Sequence, residues 1–132
     1  MILLDTHALI WVLEHTPRLG RRAARLANQA LQNDTLWTSA VVFWELTLLA
    51  ARKRIDLGSS PEQFRLRVKG LGIQEASLTG EIALEAGRIA TSIRDPADCF
   101  IAATAAIYHA RLMTADRRVL DAGIVDVIDA RR

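Results

Sequence analysis

The sequence contains a single cysteine, Cys99, among its 132 residues. One cysteine cannot form an internal disulfide or a cysteine-based zinc site, so we expect a reduced, mostly buried thiol without redox function. The first twenty residues contain no basic leader followed by an uninterrupted apolar run, which argues against export and membrane insertion. The sequence therefore predicts a cytoplasmic protein that makes no contact with a membrane.

Several catalytic motifs are also missing. The sequence has no glycine-rich phosphate loop and no HExxH zinc motif, and its histidines, His7, His15 and His109, fall on different predicted elements. A histidine at a helix start, such as His7, is more often structural than catalytic. The stretch Asp5-Thr6-His7 lacks the second aspartate of an aspartyl-phosphate hydrolase. Acidic residues remain as the candidate functional groups.

The net charge of +2 is small, but the charges are unevenly distributed. The first 70 residues carry ten Lys or Arg against six Asp or Glu, and the remaining residues carry seven against nine. The basic residues of the first part form three groups: Arg18, Arg21, Arg22 and Arg25; Arg52, Lys53 and Arg54; and Arg65, Arg67 and Lys69. These groups are either solvated helix faces or a rim that contacts phosphates.

The apolar fraction of 51% is enough for one packed core, so we expect a single domain over residues 1–132. Hydrophobic patterning and turn residues predict alternating strands and helices. The strands are expected at 1–5, 35–38, 73–77, 111–114 and 125–128. The helices are expected at 7–14, 18–32, 40–54, 61–70, 79–90 and 96–110, with a short helical turn before Gly123. This alternation predicts an α/β fold with a central, mainly parallel sheet of four to five strands and helices on both faces.

Two aspartates follow predicted strands directly. Asp5 ends the first apolar run, and Asp116 comes just after the strand at 111–114. Ligands bind beyond the carboxyl ends of the strands in such sheets, so both side chains are expected at the functional edge. Turn formation at Asp5 and helix capping at Asp116 are the structural alternatives.

Glu45 has apolar neighbours at helical spacing: Val41, Val42, Leu48 and Leu49. An ionised carboxylate on such an apolar stripe is costly unless it is paired, hydrogen-bonded or bound to a cation. The sequence therefore predicts a catalytic or metal-binding glutamate. The alternative is a salt bridge to an arginine of another helix.

Asp98 is the third residue of a helix that begins at Pro96, and Asp95 precedes that proline. Asp95 has the position of an N-cap, with support of the site as a secondary possibility. A negative charge at Asp98 is favoured by the helix N-terminus, but the residue also shares a stripe with Ile101 and Ala102 that faces inward. Capping and a site role are both open for Asp98.

Four carboxylates at one edge repel one another unless a divalent cation neutralises them, and oxygen ligands select Mg²⁺ or Mn²⁺. Such an ion activates water and offsets the charge that develops on a phosphate, which favours phosphodiester hydrolysis. Thr6 and Thr114 are candidates for orienting a carboxylate or a water through their hydroxyls, although ordinary backbone hydrogen bonding explains them equally well.

The segments LLDTHALIW, SAVVFWEL, RDPADCFIAATA and LMTADRRV, in this order, resemble the four acidic motifs of the PIN domain. The resemblance spans most of the chain and is strongest to the VapC toxins of bacterial type II toxin–antitoxin pairs. It implies a three-layer α/β/α fold, a Mg²⁺- or Mn²⁺-dependent endoribonuclease that acts on RNA, a homodimer, and inhibition by a VapB-like antitoxin.

The resemblance also assigns the site. Asp5, Glu45, Asp98 and Asp116 match the four motif acids, and Asp5 and Asp98 are the strongest expected metal ligands. Cys99 departs from the pattern, because relatives often have arginine there; Arg94 is a possible substitute.

A PIN-type nuclease of RNA processing and a non-catalytic metal- or partner-binding module are the alternative functions. The apolar helix at 41–51, which includes Trp44, is expected to lie either in the core or at a dimer or antitoxin interface.

Overall fold

A fully parallel five-stranded sheet forms the centre of the protein in a computed structural model that describes residues 1–132. The strands are β1 (Ile2–Leu4), β2 (Leu36–Ser39), β3 (Gln74–Ala76), β4 (Arg111–Thr114) and β5 (Val127–Asp129). Their order across the sheet is β3-β2-β1-β4-β5. The predicted α/β class and strand number are confirmed, and every strand pair is parallel.

Seven helices connect and cover the strands. They are α1 (Thr6–Glu14), α2 (Arg21–Gln32), α3 (Ala40–Ala51), α4 (Pro61–Gly70), α5 (Gly80–Ile89), α6 (Pro96–Ile107) and α7 (Arg117–Asp121). Asp95 is an N-cap, as the sequence predicts, and Ser39 and Thr79 cap α3 and α5; each of the three accepts a hydrogen bond from a backbone N–H of the helix that follows. None of the helices has the length and apolar character needed to cross a bilayer.

Three predicted helix limits and one predicted strand are wrong in detail. Helix α2 begins at Arg21 rather than residue 18, because Gly20 is its extended N-cap. Helices α3 and α6 end before residues 54 and 110, since Lys53 and His109 adopt left-handed φ angles of 56° and 53° that stop an α-helix. The last strand lies at 127–129 rather than 125–128, where it pairs with β4.

Both faces of the central strands are covered. All three residues of β1 are buried, and so are three of the four residues in both β2 and β4. Successive side chains of a strand point to opposite faces, so burial of consecutive residues requires helices on both sides. A single hydrophobic cluster of 33 buried residues fills the space between the sheet and the helices.

The chain changes direction across the sheet at β1. Strands β2 and β3 lie successively on one side of β1, and β4 and β5 lie on the other. This arrangement leaves a crevice beyond the carboxyl ends of β1 and β4, where ligands bind in open parallel sheets. Asp5 and Asp116 follow those two strands, so the topology explains why they meet.

Helix α4 offers a matched test of the core. Phe64 is completely buried, whereas Leu66 on the same helix is 67% exposed. We expect Phe64→Ala to lower the free energy of unfolding by about 3–5 kcal/mol, because it leaves a cavity, and Leu66→Ala to change it by less than about 0.5 kcal/mol. Urea unfolding followed by circular dichroism measures both values, and equal losses would contradict the described packing.

Candidate functional site

A polar cavity of about 670 Å³ opens at the carboxyl edge of the sheet. All four predicted acids line it: Asp5, Glu45, Asp98 and Asp116. The supporting residues Thr6 and Asp95 line it as well. Four separate chain segments therefore converge on one pocket.

Asp5 is fixed by the end of β1 and the start of α1. Its side chain is buried, with 8% of the residue exposed, and its Oδ1 accepts a hydrogen bond of 2.9 Å from the backbone N–H of Ala8. Burial raises the pKa of Asp5 to about 6, and Glu45 adds to the increase. The Thr114 hydroxyl, the Ala8 N–H and His7 act in the opposite direction. Asp5 is therefore both a helix cap and a cavity acid.

Glu45 lies in the second turn of α3, with apolar residues three and four positions away on the helix. The residue is half-buried and faces the cavity rather than the core. Its Oε1 accepts a hydrogen bond from the Thr6 hydroxyl, and no arginine or lysine forms a salt bridge with it. The salt-bridge alternative is thus wrong, and Thr6 orients the carboxylate.

Asp98 lies in the first turn of α6 and is half-buried. Burial is the largest cause that raises the pKa of Asp98 to about 7, followed by repulsion from Asp95, Asp116, Glu45 and Asp5. These four carboxylates are therefore close enough to act on its charge. No basic residue forms an ion pair with Asp98.

Asp116 has the capping role that the sequence left open. Its Oδ1 accepts a hydrogen bond of 2.9 Å from the backbone N–H of Arg118, and the Arg118 guanidinium lies 3.5 Å away. The Asp116 N–H in turn donates to the Thr114 hydroxyl at 3.1 Å. Asp116 is the only one of the four acids with an ion pair, so its charge is partly compensated by the protein itself.

Three residues close to Asp98 in the sequence, Asp95, Cys99 and Arg94, have different positions relative to the cavity. Asp95 caps α6 by accepting from the Asp98 N–H at 3.1 Å and also lines the cavity. Cys99 is buried and donates its thiol hydrogen to the Ile93 carbonyl, with Sγ and O 3.0 Å apart. Arg94 lines a smaller adjacent pocket rather than the main cavity. The expected buried thiol is confirmed.

The cavity also contains residues that the sequence did not assign to the site, among them His7, which was expected to be structural. His7 is exposed at the cavity with its ring edge-on to Trp11, the two centroids 6.4 Å apart. Because His7 and Trp11 are four residues apart on α1, the sequence could have indicated that their side chains lie on the same helix face. Arg131 also lines the cavity, and no pattern marked it because it is distant in sequence from every acidic segment.

Of the three basic groups of the first 70 residues, only Arg18 and Arg54 reach the cavity. Arg65 instead forms an ion pair of 2.7 Å with Glu75, and the Arg67 guanidinium lies over the ring of Phe64 at 5.4 Å. Of the two alternatives for these groups, a rim at the cavity is therefore open only to Arg18 and Arg54.

The cavity provides the donors that a hard divalent cation prefers. All its acids present carboxylate oxygens, and Asp5, Glu45 and Asp98 have no ion pair. Repulsion among the acids contributes to the raised pKa values of Asp5 and Asp98, and a cation would relieve it. No three acidic, histidine or cysteine side chains already surround one point at metal-binding distance. The chemistry of the donors fits a hard divalent cation.

Residues 2–124 match the family model of the PIN domain. The chain belongs to the PIN-domain family. It is 33% identical to ribonuclease VapC22 of Mycobacterium tuberculosis over 119 residues, which cover 89% of this chain and 88% of that protein. PIN-domain ribonucleases of the VapC type generally depend on a divalent metal.

Solved structures share the PIN-domain fold. FitAcB from Neisseria gonorrhoeae superimposes with a TM-score of 0.67 at 24% identity, with 98% of each chain covered. VapBC2 from Rickettsia felis, bound to a promoter DNA fragment, gives a TM-score of 0.70 at 16% identity, again with 98% of each chain covered. The three-layer arrangement inferred from the sequence agrees with these folds.

The raised pKa values of Asp5 and Asp98 predict how pH affects the stability of the metal-free PIN domain. Between about pH 4 and pH 7 the folded protein holds protons on these groups that the unfolded chain releases, so the free energy of unfolding falls as the pH rises. We expect Asp98→Asn to remove part of this fall, on the order of 2 kcal/mol after screening by solvent. Urea unfolding in chelator at about pH 5 and about pH 8 measures the difference.

Asp126→Asn is the control for this experiment, because Asp126 is exposed, with 77% of its side chain accessible, and lies outside the cavity. Its stability profile should run parallel to that of the parent protein. If the free energies of unfolding of the parent and of Asp98→Asn changed equally between the two pH values, the electrostatic description of the cavity would be wrong.

Proposed function

We propose that the protein is a divalent-metal-dependent endoribonuclease that hydrolyses RNA phosphodiester bonds as the toxin of a VapBC-type toxin–antitoxin pair. The convergence of Asp5, Glu45, Asp98 and Asp116 on one cavity carries the proposal. Membership of the PIN-domain family and the similarity to ribonuclease VapC22 support it. The single hydrophobic cluster supports the view that residues 1–132 form one domain.

In this proposal Asp5, Glu45, Asp98 and Asp116 hold Mg²⁺ or Mn²⁺. The bound cation supplies a Lewis acid that activates water and offsets negative charge on the scissile phosphate. Asp5 and Asp98 are the principal ligands, because burial and neighbouring carboxylates raise the pKa values of both, and a bound cation would relieve that effect. Asp116 contributes less, since Arg118 already compensates part of its charge.

The remaining residues prepare this arrangement. The Thr6 hydroxyl orients Glu45, and the start of α1 holds Asp5 through the Ala8 N–H. Asp95 fixes the first turn of α6 and thereby the backbone at Asp98. Hydrogen bonds that hold the ligand side chains and their backbone in place reduce their conformational freedom and strengthen cation binding. The Thr114 hydroxyl has the corresponding role for Asp116.

The proposed partners are RNA as substrate, a VapB-like antitoxin as inhibitor and a second copy of the chain as homodimer partner, all in the cytoplasm. The similar solved structures are toxin–antitoxin complexes, which supports the antitoxin. An apolar groove lined by Ala40, Val41, Trp44, Leu78 and Phe100 supports a protein contact, since Trp44 is 53% exposed. A role in RNA processing remains the second candidate function among PIN-type nucleases.

Substitution of one ligand tests the catalytic part of the proposal. We expect Asp5→Asn to lower the rate of Mg²⁺-dependent cleavage of a labelled RNA at least about a hundredfold, because the ligand supports several kcal/mol of transition-state stabilisation. Asparagine caps helices as well as aspartate does, so the variant should fold. The exposed Asp126→Asn variant is the matched control and should cut at the parental rate.

The cleavage assay also separates the enzyme from a non-catalytic module. Cleavage by the parent protein should require Mg²⁺ or Mn²⁺ and stop in chelator. A folded Asp5→Asn variant that cuts as fast as the parent would show that the ligand assignment is wrong. Absence of metal-dependent cleavage of any RNA would favour the module.

Light scattering tests the proposed homodimer. We expect the purified chain to have the mass of a dimer at micromolar concentration, because the groove around Trp44 exposes apolar surface that association would bury. A strict monomer under these conditions would contradict the homodimer while leaving the nuclease assignment intact.

A further inference from the structure

Three arginines that line the acidic cavity have no acidic partner. Arg18, Arg54 and Arg131 are exposed at its wall, and none of them forms a salt bridge. The two other arginines of the cavity are engaged: Arg117 lies 3.8 Å from Asp121, and Arg118 lies 3.5 Å from Asp116. The first three guanidinium groups are therefore available to a ligand.

The backbone at each free arginine is held in place by a hydrogen bond. The Arg18 N–H donates to the Thr16 hydroxyl at 3.1 Å, and the Arg54 N–H donates to a carbonyl of α3 at 2.9 Å. The Arg131 N–H donates to a carboxylate oxygen of Asp129 at 2.9 Å. These three residues come from separate parts of the chain, so the fold itself brings their side chains to one cavity. A fixed backbone with a free guanidinium suits the recognition of an anion.

The cavity thus contains unpaired charges of both signs. Asp5, Glu45 and Asp98 have no basic partner, and the three free arginines have no acidic partner. Oppositely charged groups in one cavity attract each other, so their separation here is imposed by the positions of their backbones. A polyanion can contact both sets of charged groups. Its central phosphate would face the acids, and its neighbouring phosphates would face the arginines.

We propose that Arg18, Arg54 and Arg131 bind the phosphates that flank the scissile phosphate of an RNA chain. This assignment rests on the proposed function, because the acids must first hold the cation that makes the centre of the cavity attractive to a phosphate. The arginines contact the backbone and carry no base preference. They are positioning residues, which set where along the RNA chain the cleaved bond lies relative to the acids.

Salt dependence of RNA binding tests this assignment without requiring cleavage. A labelled single-stranded RNA of mixed sequence is titrated with protein in a fixed concentration of Ca²⁺, a hard cation that carboxylate oxygens also hold, at monovalent salt concentrations from about 50 to 200 mM. Fluorescence anisotropy follows binding, and electrophoresis verifies that the RNA stays intact. Each of Arg18→Ala, Arg54→Ala and Arg131→Ala should reduce the slope of log K against log[salt] by about 0.7, and the triple variant by about 2. Lysine at the same positions should restore the slope, since a point charge is enough to release counterions.

Arg52→Ala is the matched control, because Arg52 is exposed and unpaired, lies two residues from Arg54 and does not line the cavity. Its slope should equal that of the parent. Alanine variants with the parental slope and affinity would overturn the assignment, and so would an equal loss for Arg52→Ala. Parental thermal unfolding of every variant verifies that only the surface charge has changed.

Cleavage measured in parallel distinguishes the two proposals. Arginine-dependent binding by a parent protein that cuts no RNA in Mg²⁺ would overturn the proposed function and, with it, the placement of the arginines around a scissile phosphate. Cleavage by the parent, with binding and cleavage unchanged in the three arginine variants, would overturn the arginine assignment alone.

Discussion

The parallel pairing of β1 with β2 on one side and β4 on the other determines the positions of the functional groups. Leu4 lies opposite Thr38 and Met113 in this register, and the Asp5 N–H donates to the Met113 carbonyl at 3.1 Å. A shift of one residue would turn the side chains of β1 to the opposite faces of the sheet. The register therefore sets which residues leave the sheet together at its carboxyl edge, and the helices that follow inherit their starting points from it.

The carboxylates at the carboxyl edge of the sheet lower the stability of the fold. Carboxylates gathered in a partly buried cavity oppose folding, as the pKa values of about 6 for Asp5 and about 7 for Asp98 indicate. Part of this cost is offset locally, because Asp5, Asp95 and Asp116 accept hydrogen bonds from the backbone N–H groups of the helices that they cap. Capping and site formation are thus two consequences of the same geometry. In the proposed function, a bound divalent cation would offset the remaining repulsion.

Separation of charge distinguishes this cavity from an ordinary network of surface ion pairs. Elsewhere, arginines meet carboxylates directly, as Arg65 does with Glu75 at 2.7 Å and Arg88 does with Glu85 at 3.0 Å. Within the cavity, Asp5, Glu45 and Asp98 face open space with no basic partner. A site that leaves charges unpaired in this way is stabilised by its ligands, which couples folding stability to binding.

The sequence by itself determined the alternation of elements, the cap at Asp95, and the acids that follow strands or begin helices, because these features depend on residues that are neighbours along the chain. Tertiary structure decided the rest. It placed Glu45 half-buried beside Thr6 rather than in the core, and brought Arg131 to the acids. No local sequence pattern encodes these positions. They depend on how strands separated by tens of residues pair, and on where the segments that follow those strands lie.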